Sequence, residues 1–211
     1  MSQLTKISFI RHGQVHNPDG IIYGRIPRFS LDKRGTEDAR MAAEFLRNTP
    51  LTALYSSPLL RARQTALALR HHHRNLQVQI SSLLIEVLTA FEGRRERDLT
   101  AEEMDFYSNT AQPWEQPADI LARTQKFIGK VRKKHPGSHT AAVTHGDIIV
   151  FLSLWAQGIE ASAENKLRLV ATGACSEYPA TGSVTTLSYA SEDDREVPSL
   201  EYTNTRTSCK E

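Results

Sequence analysis

The sequence repeats one local arrangement at three places: a short apolar segment, then at once a basic or imidazole side chain, then a helix-forming run. The segment KISFI is followed by Arg11-His12-Gly13, ALYSS by Pro58-Leu59-Leu60-Arg61, and TAAVT by His145-Gly146-Asp147. Apolar strands that alternate with helices are typical of α/β proteins with a mostly parallel sheet. Because the carboxyl ends of parallel strands lie at one edge of a sheet, we expect these polar groups to meet there.

Hydrophobic periodicity predicts the order of the elements. Strands are expected at Lys6–Ile10, Leu51–Ser56, Gln77–Ile80, Thr140–Thr144 and Val184–Tyr189, and helices at Thr36–Asn48, Arg61–Arg70, Pro117–Lys134 and Ile148–Gln157. The predicted fold is a three-layer α/β/α sandwich with a mostly parallel central sheet. It forms a single domain over residues 1–211, which ends in a polar C-terminal tail from about 191 to 211.

Charge and cysteine content restrict the classes of protein to which the chain can belong. Lys and Arg number 26 against 24 Asp and Glu, and this net charge of +2 is too balanced to indicate a nucleic-acid partner. No apolar run is long enough for a signal peptide or a membrane span, so no membrane partner is expected. With only Cys175 and Cys209 available for disulfides, a reducing, cytoplasmic location is predicted.

The polar groups at the predicted sheet edge are suited to an anion. Two arginines and two histidines would converge there, and the planar fork of a guanidinium matches phosphate oxygens. Gly13 and Gly146 each follow one of the histidines, where the absence of a Cβ lets backbone or ligand approach closely. The edge is therefore a candidate phosphate site.

Four segments in this order, IRHGQVHN, SSPLLRARQTA, LIEVLTAFEG and VTHGD, resemble the motifs of the histidine phosphatase superfamily, in its phosphoglycerate mutase-like branch. The resemblance covers about residues 6 to 190, nearly the whole chain. It implies a phosphomonoester hydrolase that acts on a small phosphorylated metabolite through a phosphohistidine. It implies neither a metal nor a cofactor, because side chains supply the positive charge.

The resemblance also assigns roles to residues. It implies His12 as the nucleophile, Glu86 as the proton donor to the leaving oxygen, and Arg11, Arg61 and His145, together with Asn17, as the groups that hold the phosphate. A histidine attacks as the neutral imidazole, so neighbouring arginines that lower its pKa favour the reaction. Arg63 is a rival to Arg61, but the family pattern S-x-L-x-R-A-x-Q-T selects Arg61.

The proton donor has rivals in Glu92 and Asp147. Only five residues separate Glu86 from Glu92, and the glycine that relatives often carry in this gap is absent. Glu86 is favoured because it directly follows the apolar segment LLI.

Outside these motifs, the loop after the first strand is where contacts to the rest of the substrate are expected. His16, Tyr23 and Arg25 are candidates for such contacts, and Arg28 lies in the same loop. The triplet His71-His72-His73 is interpreted as the exposed end of a helix, because adjacent helical side chains point in different directions and cannot grip one ion.

Two other functions stay open. A phosphoglycerate mutase would return the phosphoryl group to its substrate, but mutases of the family usually carry more sequence between the acid and the second histidine. A non-catalytic module would keep the anion pocket without turnover, yet His12 and a carboxyl group are both retained. Hydrolysis is therefore the prediction, the physiological substrate is open, and so is a homodimer.

Overall fold

A six-stranded sheet forms the centre of the computed structural model, which describes residues 4–100, 103–172 and 178–208. The strands are β1 (Thr5–Arg11), β2 (Leu51–Ser56), β3 (Val78–Ile80), β4 (His139–Thr144), β5 (Val184–Tyr189) and β6 (Ser199–Thr203). Their spatial order is β3-β2-β4-β1-β5-β6. The first four pair in parallel, whereas β5 runs antiparallel to both β1 and β6. The predicted mostly parallel sheet is confirmed.

Helices cover both faces of this sheet. Those of the described residues are α1 (Lys33–Phe45), α2 (Leu60–His72), α3 (Pro117–Lys134), α4 (Gly146–Ala156), α5 (Ala163–Thr172) and α6 (Thr205–Ser208). α1 and α2 share one apolar cluster with the sheet, and α3 and α4 share another on the opposite face. The three-layer sandwich is confirmed.

The alternation of side chains along β1 shows why the sheet is covered on both faces. Ile7 and Phe9 pack toward α3 and α4, whereas Ile10 packs toward α1 and α2, and all three are fully buried. Ser8 shares the face of Ile10, and its hydroxyl group is hydrogen-bonded to His139 and Thr186 of the neighbouring strands at 2.8 Å. A strand with apolar groups on both faces requires a helix layer on each side.

Strand register brings the functional segments to one level. Arg11 at the end of β1 is paired with Thr144 at the end of β4, and Ser56 at the end of β2 is paired with Val143. The residues that follow, His12, Ser57 and His145, therefore leave the sheet at the same edge. The prediction that the polar groups following these strands meet at one edge of the sheet is confirmed.

The C-terminal region departs from the prediction. The expected polar tail after residue 191 contains β6, which pairs with β5 along its length from Val184↔Thr203 to Ser188↔Ser199. β6 is an edge strand with partly exposed, largely polar residues, and such a segment carries little signal of a strand in the sequence. α5 and α6 were also not predicted, and α1 begins three residues early because the Asp32 carboxylate accepts a hydrogen bond from the Gly35 N–H at 2.6 Å. Cys175 and Cys209 lie outside the described residues.

A helix with the length and apolarity needed to cross a bilayer is absent from the described ranges.

Candidate active site

His12 is the first residue after β1, and it is only 1% exposed. Its Nδ1 lies 2.8 Å from the Gly13 carbonyl oxygen. A carbonyl oxygen can only accept, so Nδ1 carries the hydrogen and Nε2 keeps its lone pair. Nε2 accepts a hydrogen bond from Arg61 Nε at 3.2 Å. The ring is therefore held in the tautomer required of an attacking imidazole.

The surroundings of His12 keep it uncharged. Burial lowers its pKa well below 6.5, and the positive charges of Arg61 and Arg11 and the neighbouring His145 lower it further. The hydrogen bond to Gly13 opposes these effects without cancelling them. The prediction that the arginines lower this pKa is confirmed, although burial is the larger cause.

Arg61 lies in the first turn of α2, and its side chain is 1% exposed. One terminal nitrogen donates to the Gly24 carbonyl oxygen at 2.8 Å, and the Tyr23 ring covers the guanidinium at 4.6 Å. Arg63 is exposed on the same helix. The structure thus brings Arg61, and not Arg63, to His12.

His145 occupies the N-cap position of α4, without a capping hydrogen bond from its side chain, and is fully buried. Its ring lies 5.1 Å from that of His12, between centroids, and its Nε2 lies 2.8 Å from Ser57 Oγ. Burial lowers the pKa of His145 to about 4, although the Glu86 carboxylate counteracts this effect. A second neutral imidazole therefore faces the first.

Glu86 follows the short 3₁₀ turn after β3 and places its carboxylate against His145. Oε2 lies 3.2 Å from His145 Nδ1 and 3.7 Å from an Arg61 nitrogen, while Oε1 accepts from the Val87 N–H at 3.0 Å. Burial alone would raise the Glu86 pKa, but His145 and Arg61 outweigh it and hold the pKa below its ordinary value. The side chain is 17% exposed and lines a cavity together with His12.

The two rival carboxylates, Glu92 and Asp147, are hydrogen-bonded to other groups of the protein. Glu92 accepts a hydrogen bond from the Arg25 N–H at 2.5 Å and is absent from the described cavity wall. Asp147 does line the cavity, but its carboxylate accepts from the Tyr107 and Tyr178 hydroxyl groups at 2.5 and 2.7 Å and forms an ion pair with Lys166 at 2.7 Å. Of the three candidates, Glu86 has the geometry of a proton donor into the cavity.

Arg11 belongs to the expected phosphate clamp, the set of Arg11, Arg61, His145 and Asn17 that the resemblance implies, and an aromatic ring holds its side chain in place. Its guanidinium lies 4.8 Å above the Tyr178 ring and donates to the Pro179 carbonyl oxygen at 2.6 Å. Its Nε is buried and has no hydrogen-bond partner among the described residues. A Cβ on Gly146 would lie 2.2 Å from the Tyr178 hydroxyl oxygen, so the glycine is needed for this packing. The close approach that the sequence predicted at Gly146 is made by a side chain.

Close approach at Gly13 is made by backbone. A Cβ there would lie 2.1 Å from the Gly35 carbonyl oxygen at the start of α1.

Ligand atoms of His12, Glu86 and His145 lie within 4.8 Å of one another, a spacing that could hold a metal ion. However, Arg61 contacts all three at 3.2, 3.7 and 3.4 Å. A fixed guanidinium at these distances repels a cation and attracts an anion. The donor set therefore fits phosphate better than a metal.

Some of the residues expected to bind substrate line the cavity, and others do not. Tyr23 and Asn17 line the cavity, and the Asn17 amide also shapes the loop by hydrogen bonds to the backbone of Ile21 at 2.9 and 3.1 Å. His16 is exposed and outside the described cavity wall, as is Arg28. Arg25 is engaged elsewhere and does not line the cavity either.

Arg25 belongs to an ionic cluster with Glu115 and Arg123. The Glu115 carboxylate accepts from both guanidiniums at 2.8 Å and from the Leu88 N–H at 3.0 Å. Both arginines also donate to the carbonyl oxygen of Glu86, at 2.7 and 3.4 Å. The cluster therefore fixes the backbone that carries the candidate acid.

Much of the cavity wall has no signal in the sequence. The cavity has a volume of about 270 Å³, and the lining residues that were not predicted include Ile21, Ile22, Val87, Thr89, Glu96, Phe106 and Tyr178. They lie in irregular segments, where no periodicity indicates which side chains turn inward. Ser57, the partner of His145, could have been found, since it follows β2 as His12 follows β1.

Comparisons with known proteins identify the family of the chain. The sequence profile of the histidine phosphatase superfamily (branch 1) matches residues 7–192. An uncharacterized protein of Mycobacterium tuberculosis, Rv0525, is 34% identical over 75% of this chain and 81% of its own length. Phosphoserine phosphatase 1 of Hydrogenobacter thermophilus is 29% identical over 67% of this chain and 71% of its own length.

Among solved structures, the mycobacterial glucosyl-3-phosphoglycerate phosphatase Rv2419c superposes with a TM-score of 0.75, at 22% identity, over 95% of this chain and 97% of its own. At this identity the superposition bears on the fold alone. The profile match, which covers most of the sequence, shows that the chain belongs to the histidine phosphatase superfamily and is a phosphatase.

Proposed function

We propose that the protein hydrolyses phosphomonoesters of a small metabolite, without a metal, through a phosphohistidine on His12. The observation that carries the proposal is the His12 ring: buried, held as the Nδ1–H tautomer by Gly13, and in contact with Arg61 through Nε2. Only the Nδ1–H tautomer leaves the lone pair of Nε2 available to attack phosphorus.

In the first step, Arg61 transfers its hydrogen bond from His12 Nε2 to a phosphoryl oxygen, and the freed Nε2 lone pair forms the N–P bond while the P–O ester bond breaks. The electron pair of that bond leaves with the ester oxygen, which takes a proton from Glu86. Arg11, Arg61 and His145 surround the position of the phosphoryl group, and their donors stabilise the charge on its oxygens.

In the second step, Glu86 takes a proton from a water molecule that attacks phosphorus, and the N–P bond breaks. Inorganic phosphate leaves, and His12 is neutral again. One carboxyl group thus serves as acid and then as base.

Glu86 must be protonated to act first as an acid, although its neighbours favour the carboxylate in the free site. A phosphate dianion beside it adds negative charge and raises its pKa. Substrate binding therefore favours the protonated form of Glu86, which donates the proton.

The test is release of inorganic phosphate from a panel of phosphomonoesters with a chelator present, by the wild type, His12→Ala and His16→Ala. His16 is an exposed histidine outside the cavity and gives a matched control. We expect chelator-resistant release that disappears in His12→Ala alone. Near-normal turnover by a folded His12→Ala variant would refute the nucleophile.

Radiolabelled substrate separates hydrolysis from the alternatives. We expect an acid-labile label on the protein and its loss to water. Conversion of 3-phosphoglycerate to 2-phosphoglycerate with a bisphosphorylated primer, and little free phosphate, would identify a mutase instead. Binding without label or turnover would identify a non-catalytic module.

A further inference from the structure

Beyond the phosphate-binding groups, much of the cavity wall is apolar. Ile21, Ile22 and Tyr23 line it from the loop after β1, Val87 follows the candidate acid, and Phe106 lies in the segment before α3. The alcohol part of a bound ester would therefore contact hydrocarbon and aromatic surface, which favours apolar groups.

Among the described residues of the wall, no cation outside the phosphate clamp is available to a substrate carboxylate. Arg11 is the only lysine or arginine on the described part of the wall, and Tyr178 and Pro179 hold it in the clamp. Lys166 lies 5.0 Å from the Phe106 ring, but it is 7% exposed and paired with Asp147 at 2.7 Å.

The wall also carries a negative charge away from the reacting groups. Glu96 is exposed on the wall, at the start of a short 3₁₀ turn. Burial is the main cause of the raised pKa of the Tyr23 phenol, and the Glu96 carboxylate is close enough to add to this effect. A carboxylate on the alcohol part of the substrate would meet this charge without a compensating cation.

We propose that the enzyme selects phosphomonoesters whose alcohol part is apolar and free of negative charge, and that Glu96 discriminates against carboxylated esters such as phosphoserine and phosphoglycerates. The inference rests on the proposed function and names its substrate class. The site would then also have a low kcat/KM for phosphoglycerate, the substrate of a phosphoglycerate mutase.

The test uses two primary alkyl esters that differ at the far end, pentyl phosphate and 4-phosphooxybutanoate. Their leaving groups have nearly equal basicity, so the chemical step is matched and the ratio of kcat/KM reports recognition. We expect pentyl phosphate to be preferred by roughly tenfold or more. Equal or better turnover of the carboxylated ester by the wild type would overturn the proposal.

Two variants test whether Glu96 causes the preference for the uncharged ester. Glu96→Lys should narrow the ratio by roughly tenfold, because it replaces repulsion by attraction. Asp98→Lys changes the net charge equally in the same 3₁₀ turn, but its side chain is 61% exposed and outside the described cavity wall, so the ratio should stay within about twofold. Equal effects of the two variants would show that Glu96 does not face the leaving group and would overturn its role.

Failure of this inference differs from failure of the proposed function. If the substrate class is wrong, His12-dependent phosphate release persists and only the order of the esters changes. If neither ester, nor any other phosphomonoester of the panel, gives His12-dependent release, the hydrolytic function itself is refuted.

Discussion

Replacing Glu86 by Gln removes the proton donor of the proposed mechanism and keeps the volume of the side chain. The amide oxygen of Gln can still accept the Val87 N–H bond that Oε1 accepts at 3.0 Å. The substitution therefore tests the proton and the charge rather than the position of the backbone.

The size of the effect follows from the geometry. Arg61 contacts Glu86 at 3.7 Å, so a phosphate oxygen bound to Arg61 lies on the order of 4 Å from the carboxylate. At an effective dielectric constant of about 20, one negative charge at that distance contributes roughly 4 kcal/mol, or about three pKa units. This shift favours the protonated carboxyl group that can donate a proton, and a general acid contributes about 10²–10⁴-fold.

The assay compares alkyl and 4-nitrophenyl phosphates. We expect Glu86→Gln to lose about 10²–10⁴-fold in kcat on the alkyl ester and less than about tenfold on the nitrophenyl ester, whose leaving group needs no proton. Glu92→Gln and Asp147→Asn test the rivals, and neither should show this dependence on the leaving group.

Equal losses by Glu86→Gln on both esters would refute the reasoning. A leaving-group dependence in Glu92→Gln or Asp147→Asn would transfer the role to that residue.

Three further expectations concern the site. Gly146→Ala should displace Tyr178, whose hydroxyl oxygen would lie 2.2 Å from the new Cβ, and should lower stability by about 1–3 kcal/mol in urea unfolding as well as kcat/KM; unchanged values would show that the ring moves freely. The NMR signals of His12 in the free enzyme, assigned by comparison with His12→Ala, should remain those of a neutral imidazole as pH falls through 6.5, and a midpoint at or above that value would contradict the effect of burial. Because the pKa of His145 is about 4 in the folded protein and 6.5 for an unperturbed histidine, the unfolded state binds more protons between these values, so stability should fall as pH is lowered across this window, by up to about 3 kcal/mol. Urea unfolding of the wild type and His145→Gln measures this loss, and an identical pH dependence in the two proteins would argue against it.

The sequence predicted the parts of the fold that depend on local pattern. β2, β5 and α3 have the predicted bounds, because apolar alternation and the proline at the start of α3 are local signals. His12, Arg61 and His145 could be placed together from the sequence alone, since parallel strands end at one edge.

The remaining features depend on tertiary contacts. Ser199–Thr203 is polar enough to resemble a tail, and only pairing with β5 makes it a strand. Phe106 and Tyr178 reach the cavity from segments without periodicity, far along the chain from His12. Arg25 was expected to face substrate, and only the fold reveals Glu115 beside it at 2.8 Å.

The cluster of Glu115 with Arg25 and Arg123 has a consequence for how such a site can diverge. Loss of Glu115 alone would leave two guanidiniums, 24% and 13% exposed, without their common partner and next to the backbone of Glu86. Removal of one member of a partly buried ionic group is strongly destabilising, whereas replacement of the whole group by apolar residues need not be. The three positions should therefore be inherited as one unit: lineages should keep all of them or exchange them in step, and substitutions found at only one should be rare.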